Sequence, residues 1–440
     1  MPTSWLCIPP TSDFSLANLP FGIVSTLADD TPRVAVAIGA YILDLKALSS
    51  LVDLTPLFTA HQLPIPLPIL TSTFSQPTLN AFASLGRPIH RIVRAALQEL
   101  LSADTNHGSL LRDNESAKAK ALVPQTDVKM HLPMQIGDYT DFYAGIHHAR
   151  AVGTLFRGAA NALQPNYVHL PVGYHGRSSS IIVSGTPVRR PVGQILPGLG
   201  QPPITAASRK LDFELELGCF VAKGNEMGLR MSVDQADEDG VFGYVLLNDW
   251  SARDVQSWEY VPLGPFNGKN FATTVGGWVV LADALEDVRV PGPEREEGWG
   301  EVQGYLRGGG RSMWGLDLDL EVELGAPNGT TTTITRTNAR HLIWSFPQMM
   351  AHHTVGGCPL RTGDLLGSGT ISGPGGPTEA GSLLEITENG KKELVLQDGE
   401  KRTFLQDGDT VTFKGYAVTK DGQRIGFGEC TGTVLPALEL

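Results

Sequence analysis

No stretch of the 440 residues approaches the roughly 20 consecutive apolar positions that a membrane-spanning helix requires. Cysteine is scarce: Cys7, Cys219, Cys358 and Cys430 are the four, and no CxxC or other ligand spacing joins them, which excludes a zinc cluster and a disulfide scaffold. Basic charge is in deficit, 34 Lys and Arg against 46 Asp and Glu, so a formal net charge of −12 argues against nucleic acid or an anionic membrane surface as partner. The opening MPTSWLCIPP is no basic, apolar leader and the closing LEL is no targeting tripeptide, so a reducing cytoplasm is expected. Nucleotide and nucleophile motifs are missing too. There is no GxSxG elbow, and GSGTISG is not GxGxxG. GPFNGKN has one residue too few between its glycines for a phosphate loop, with Asn270 where Ser or Thr should follow the lysine. Water is the nucleophile that remains.

Glycine and proline are abundant, 50 and 30 residues, and clusters such as VSGTPVRRP point to a β-rich, loop-heavy architecture. A chain of this length exceeds one ordinary core, so two domains are expected. Residues 1–120 read as a small β-rich domain, with RVAVAIG (33–39) and YILDL (41–45) as strands and a helix-like tract from Ile92 to Leu101. His61, His90 and His107 stand alone there and are expected to be structural or solvated. Polar DTNHGSLLRDNESAKAKA (104–121) reads as a linker. Beyond Leu122, helices are expected near 141–150 and over 338–353, the latter kinked or broken at Pro347, and the charged segment 291–312 reads as a surface insertion.

The stretch LDFELEL, 211–217, organises the chemistry. As a strand it sends Phe213, Leu215 and Leu217 to one face and Asp212, Glu214 and Glu216 to the other. Same-face carboxylates roughly 7 Å apart repel by about 2–3 kcal/mol at an effective dielectric near 20, a cost that needs a cation inside a cleft and is screened in solvent. DLDLEVEL at 317–324 repeats the pattern and reads as a strand with one wet face. The first copy differs in its company: NDWSARD and GPFNGKNFATT add Asp249, Arg253, Lys269 and Thr273.

A second concentration lies in 130–158, with Asp138, Tyr139, Asp141, Tyr143, His147, His148 and Arg157. Histidine exchanges protons near neutrality without help, and a neighbouring carboxylate can fix its tautomer. The duller reading is that Asp138 or Asp141 caps the following helix. Tyr174, in a glycine-flanked turn, could pack or could aim its hydroxyl at a ligand. Cys219 continues the apolar run GCFVA and is expected to be packed rather than nucleophilic.

Together, MHLP…IGDYTDFY, HLPVGYHGR, LDFELE, NDWSARDVQSWEYVPLGPFNGK and LRTGDLLGSGTISGP resemble the fumarylacetoacetate hydrolase family over nearly the whole chain, most densely at 130–280 and 360–434. The resemblance implies a mainly β fold with some helix: a small SH3-like β-barrel N-terminal domain with linker (1–121), a larger β-roll catalytic domain (122–440) and a homodimer. It places metal ligands on Asp141, Glu214, Glu216 and Asp249, hard oxygen donors suited to Ca²⁺ or Mg²⁺, and a further cation position at Asp249, Lys269 and Thr273. A lysine ammonium is a poor ligand and is read as neutralising charge there. Asp212 matches no ligand. The catalytic histidine falls on His148, with His147 as a rival that animal members lack, and Glu385 as the carboxylate that orients it.

What the resemblance implies is metal-dependent hydrolysis of a carbon–carbon bond in fumarylacetoacetate to fumarate and acetoacetate, the last step of tyrosine and phenylalanine breakdown. Arg253, Gln256 and Lys269 would stabilise the oxyanion, and Tyr143, Arg157, Tyr174, Gln256, Tyr260 and Thr370 would bind the substrate. The alternatives are a related hydrolase, isomerase or decarboxylase of another oxo acid, and a non-catalytic, metal-stabilised binding scaffold.

Overall fold

One sheet carries three of the four carboxylates expected to hold a metal, Asp141, Glu216 and Asp249, with Glu214 just before its strand Leu215–Val221, and both of its faces are covered. The computed structural model describes residues 3–198, 200–309 and 313–439. Its largest sheet runs Gly173–His175, Tyr139–Phe142, Leu365–Gly367, Leu215–Val221, Val241–Asp249, Thr273–Val275, Ile181–Val183, with Val280–Leu281 added along Val241–Asp249. Alternation sorts the side chains of its two central strands. Leu215, Leu217, Cys219 and Val221 enter one core with Val241, Tyr244 and Leu246, whereas Phe220 enters another with Phe242, Val245 and Leu247.

The first core is closed by a five-stranded sheet, Thr331–Asn338, Asp319–Gly325, Thr410–Val418, Arg424–Leu435, Val188–Arg189. The second is closed by the N-terminal unit, whose antiparallel sheet runs Leu122–Pro124, Tyr41–Asp44, Arg33–Ile38, Phe21–Thr26, Val128–His131. The architecture is thus mixed, mainly β with helices laid on the outside.

The first hundred and twenty residues are richer in helix than the composition suggested. Helices occupy Leu45–Leu51, Thr55–Ala60, Leu67–Phe74, Asn80–Ala83, Arg87–Leu101 and Glu115–Ala121. Pro56, Pro68 and Pro88 sit in the first turns of three of them, where a missing N–H costs nothing, so these prolines begin helices instead of marking loops. The stretch 104–121 is not a free linker: it ends in the helix Glu115–Ala121, and Leu111, Ala117 and Ala121 are buried.

Other expectations are corrected in the same way. Residues 139–142 are strand and the helix that follows is Ile146–Arg157, with Gly145 at its N-cap, so neither Asp138 nor Asp141 caps it. Over 338–353 a short 3₁₀ turn, Ala339–His341, precedes the helix Phe346–Thr354; Pro347 lies in its first turn behind a Ser345/Gln348 capping box and neither kinks nor breaks it. LDFELEL is two strands, not one: Leu211–Asp212 pairs with Ser251–Ala252, and Leu215–Val221 joins the large sheet. The second acidic copy, Asp319–Gly325, alternates exposed or half-buried with buried positions, one face wet. Within 291–312 the segment from Pro291 to Gly300 is mostly exposed, tethered by Arg150 to Glu296 at 2.5 Å, and residues 310–312 lie outside the described residues.

Candidate active site

Asp141, Glu214, Glu216 and Asp249 each present a carboxylate oxygen, and these oxygens all lie within 4.8 Å of one another. Strand register assembles them. Asp141 pairs with Gly367 across a parallel ladder, Glu216 with Leu247, and Asp249 ends the strand next to Glu214, donating its N–H to the Glu214 carbonyl at 3.3 Å. All four side chains are buried. Asp141, Glu216 and Asp249 share the sheet face of Phe220 and Leu247, and Glu214 joins them from the link before the strand Leu215–Val221.

Two cations enter this group. Lys269 Nζ donates to Glu214 Oε2 and, at 2.6 Å, to Asp249 Oδ2; Arg253 Nη1 donates to Glu214 Oε1 at 2.6 Å. Burial would raise the Glu214 carboxyl, but Lys269 and Arg253 outweigh it and hold the group down to about 2. Among the described residues no lysine or arginine bonds to Asp141 or Glu216, and Lys269 acts on Asp141 only from a distance. Burial first, then repulsion from Asp249 for Asp141 and from Asp141 for Glu216, pushes both far above the ordinary carboxylate range.

Asp141 Oδ1 and Glu216 Oε1 are buried without a hydrogen-bond partner. A Cβ at residue 367 would lie 2.4 Å from Asp141 Oδ1 and 3.0 Å from Glu216 Oε2, so only glycine leaves the gap open. An all-oxygen donor set, orphaned oxygens and a space kept free of side chains fit a divalent hard cation. The remaining oxygens are oriented: Glu216 Oε2 accepts from the Gly369 N–H at 3.0 Å, Asp249 Oδ2 from Tyr174 OH at 2.8 Å, and Asp249 Oδ1 from Thr273 Oγ1 at 3.2 Å.

Close to this cluster, in the first turn of Ile146–Arg157, His148 is buried and its Nδ1 lies 2.6 Å from Glu385 Oε2. Glu385 also accepts from Ser372 Oγ at 2.9 and 3.1 Å and from Ser382 Oγ at 2.8 Å. Burial opposes its charge, but His148 and the two serines overcome this and lower the carboxyl below its usual range; a carboxylate only accepts, which makes Nδ1 the donor of this bond. His147 points elsewhere, its ring edge-on to His341 at 5.1 Å.

The substrate-binding set is only partly gathered. Tyr143 is half-buried, its ring perpendicular to His148 at 5.5 Å, and Thr370 is buried two residues before Ser372. Gln256 lies one turn after Arg253 and accepts weakly from its Nη1 at 3.4 Å. Arg157 donates to the carbonyls of Asn161 and Ala162, and Tyr260 is half exposed beyond the helix Arg253–Glu259. A cleft bordered by Tyr139, Tyr174, His175, Asp249, Lys269 and Thr273 opens to the cluster.

Sequence reasoning missed Ser372, Ser382 and Gly367, because a serine that orients a distant carboxylate and a glycine that keeps a space empty carry no local pattern. Tyr139, one of the residues concentrated in 130–158 but given no role there, has a hydroxyl that is buried without a partner. Alternation along YTD would have put Tyr139 on the face of Asp141.

Known proteins resemble this chain over nearly its whole length. Residues 139–435 match the family described as fumarylacetoacetate hydrolase C-terminal, and residues 17–133 match fumarylacetoacetase N-terminal. Fumarylacetoacetase fahA of Aspergillus fumigatus is 55% identical over 443 residues, covering 99% of both chains. The fumarylacetoacetase of Caenorhabditis elegans is 49% identical over 437 residues, again with 99% of each chain covered. Among solved structures, fumarylacetoacetate hydrolase from Exiguobacterium antarcticum aligns at 15% identity over 95% of this chain and 99% of that one, with a TM-score of 0.49. With both halves matched and such identity sustained from end to end, the chain belongs to the fumarylacetoacetate hydrolase family.

Proposed function

We propose that this protein hydrolyses a carbon–carbon bond of fumarylacetoacetate, giving fumarate and acetoacetate in the closing step of tyrosine and phenylalanine breakdown. The observation that carries the proposal is the buried His148–Glu385 pair, near enough to act electrostatically on Glu214 of the four buried carboxylates, a base beside a cation cradle. Full-length relatives that bear the name fumarylacetoacetase support the choice of substrate.

Asp141, Glu214, Glu216 and Asp249 would hold Ca²⁺ or Mg²⁺, with Lys269 and Thr273 shaping the Asp249 side. When bound, such an ion polarises the carbonyl under attack. His148, its Nδ1–H donated to Glu385, takes a proton from water at Nε2 as the water oxygen bonds to the carbonyl carbon. Arg253 supplies the clearest donor for the developing oxyanion, since its Nη2 is buried without a partner. Gln256 and Lys269 flank it. The carbon–carbon bond then breaks, its electron pair leaves on the acetoacetate carbon, and the proton held by His148 goes to that carbon.

Tyr143, Tyr174, Gln256 and Thr370 would contact substrate oxygens. Arg157 and Tyr260 would join them only on closure, Arg157 by releasing the carbonyls of Asn161 and Ala162. The proposal includes an SH3-like barrel at 1–121, a β-roll at 122–440, a homodimer and a cytoplasmic setting.

Loss of fumarylacetoacetate absorbance, followed with and without chelator, tests the reading. Turnover should require the divalent ion and fall at least 100-fold in His148→Ala and Glu385→Gln. Products other than fumarate and acetoacetate would favour a related isomerase or decarboxylase. Metal binding with no turnover of any oxo acid would favour a scaffold.

A further inference from the structure

Asp212 is the one carboxylate of LDFELEL outside the cation cradle, and it is the most fully engaged. It is completely buried. Oδ1 accepts from the N–H groups of Phe213 at 2.9 Å and Leu383 at 2.7 Å, and Oδ2 from the Leu384 N–H at 2.9 Å and Arg253 Nε at 2.9 Å. Leu383 and Leu384 open the short helix Leu383–Ile386, whose third residue is Glu385. Arg253 is held at Nε by Asp212 and at Nη1 by Glu214, which leaves Nη2 as the buried donor without a partner.

A single rigid carboxylate therefore spans the guanidinium and the turn that carries the carboxylate behind His148. We propose that Asp212 is a positioning residue that fixes the oxyanion donor Arg253 and the His148–Glu385 pair relative to each other; this rests on the hydrolase reading above. Buried carboxylates are costly unless their acceptor positions are used, and here three of the four bonds go to the two parts of the site that must share a geometry, the fourth coming from the Phe213 N–H. Asparagine cannot replace it. Whichever way its amide is turned, the NH₂ faces two donors, either Leu384 N–H and Arg253 Nε–H or Phe213 N–H and Leu383 N–H.

The test is Asp212→Asn in the full-length, cation-loaded protein. Misplacement of a reacting group by about an ångström costs roughly 100-fold in rate, so kcat should fall about 100-fold with KM and cation affinity within about 3-fold of wild type. The low-field proton resonance of the His148–Glu385 bond, identified by its loss in Glu385→Gln, should move. The double variant Asp212→Asn/Arg253→Gln should be no slower than the slower single variant within about 3-fold, because the two residues act as one unit. An unchanged kcat, an unmoved resonance or losses that multiply would each overturn the proposal.

If Asp212→Asn does not fold, Arg253→Gln takes its place. It should move the resonance, while Lys269→Met, which frees the same Glu214 without touching Asp212, should leave it; equal effects would overturn the proposal. The resonance is read without substrate, so a wild type that leaves fumarylacetoacetate intact removes the hydrolase reading and still decides the coupling.

Discussion

Glu216 illustrates how one residue can be wrong for the empty fold and right for the loaded one. Its Oε1 has no partner, Asp141 is its neighbour, and no lysine or arginine among the described residues bonds to it, so without a cation it either repels or takes up a proton. In chelator, Glu216→Gln should unfold at a temperature equal to or above that of wild type, because a neutral amide relieves buried repulsion. With divalent ion at about 100 times its dissociation constant, wild type should gain about 2.7 kcal/mol and the variant far less, reversing the order in thermal unfolding. Gly367 offers a second residue-scale test. A methyl 2.4 Å from Asp141 Oδ1 should lower cation affinity roughly 10- to 100-fold in Gly367→Ala, measured by titration, with the circular dichroism spectrum retained.

At the scale of elements, what the sequence revealed depended on whether the deciding interaction was local. Alternation sorted Phe213, Leu215 and Leu217 from Asp212, Glu214 and Glu216, and the two groups do part, one into the core and the other into polar contacts. Alternation could not say that the polar side is buried, since the groups that cover it, Tyr174, Arg253 and Lys269, come from elsewhere in the chain, while the N-terminal unit packs on Phe220 and Leu247 of the same face. Pro347 and Pro88 misled for a local reason: a proline in the first helical turn looks the same in a sequence as one that ends a helix. The helix that Pro88 opens, Arg87–Leu101, also carries His90 between Phe82 and Phe242, with Nε2 donating to the Phe82 carbonyl at 2.9 Å. Burial lowers its pKa to about 4 from the ordinary 6.5. Between those values the unfolded chain binds a proton that the native helix refuses, so stability falls as pH drops from about 6.5 to about 4. The stability gap between wild type and His90→Gln, read from denaturant unfolding, should therefore narrow by about 3 kcal/mol between pH 7.5 and 4.

At the scale of the molecule, the N-terminal unit and the catalytic sheet share one core. Leu19, Phe21, Phe74 and Phe82 pack in the same cluster as Phe220, Phe242, Val245 and Leu365, and Phe21 exchanges two backbone hydrogen bonds with Val279 at 2.9 and 2.7 Å. Arg87 extends the junction with a 3.0 Å bond to Asp283, a contact to Glu286 and a 2.8 Å bond to the Asp237 carbonyl. The cation cradle lies on that same face of the sheet. Separating the two units would expose the apolar half of the face that holds the four carboxylates, so neither unit can melt alone without disturbing the other. Calorimetry should then show a single transition both in chelator and in divalent ion, moved upward by a few degrees as a whole when the ion is added. Two transitions, of which the ion moves only one, would mean that the shared core is too weak to couple the N-terminal unit to the cradle.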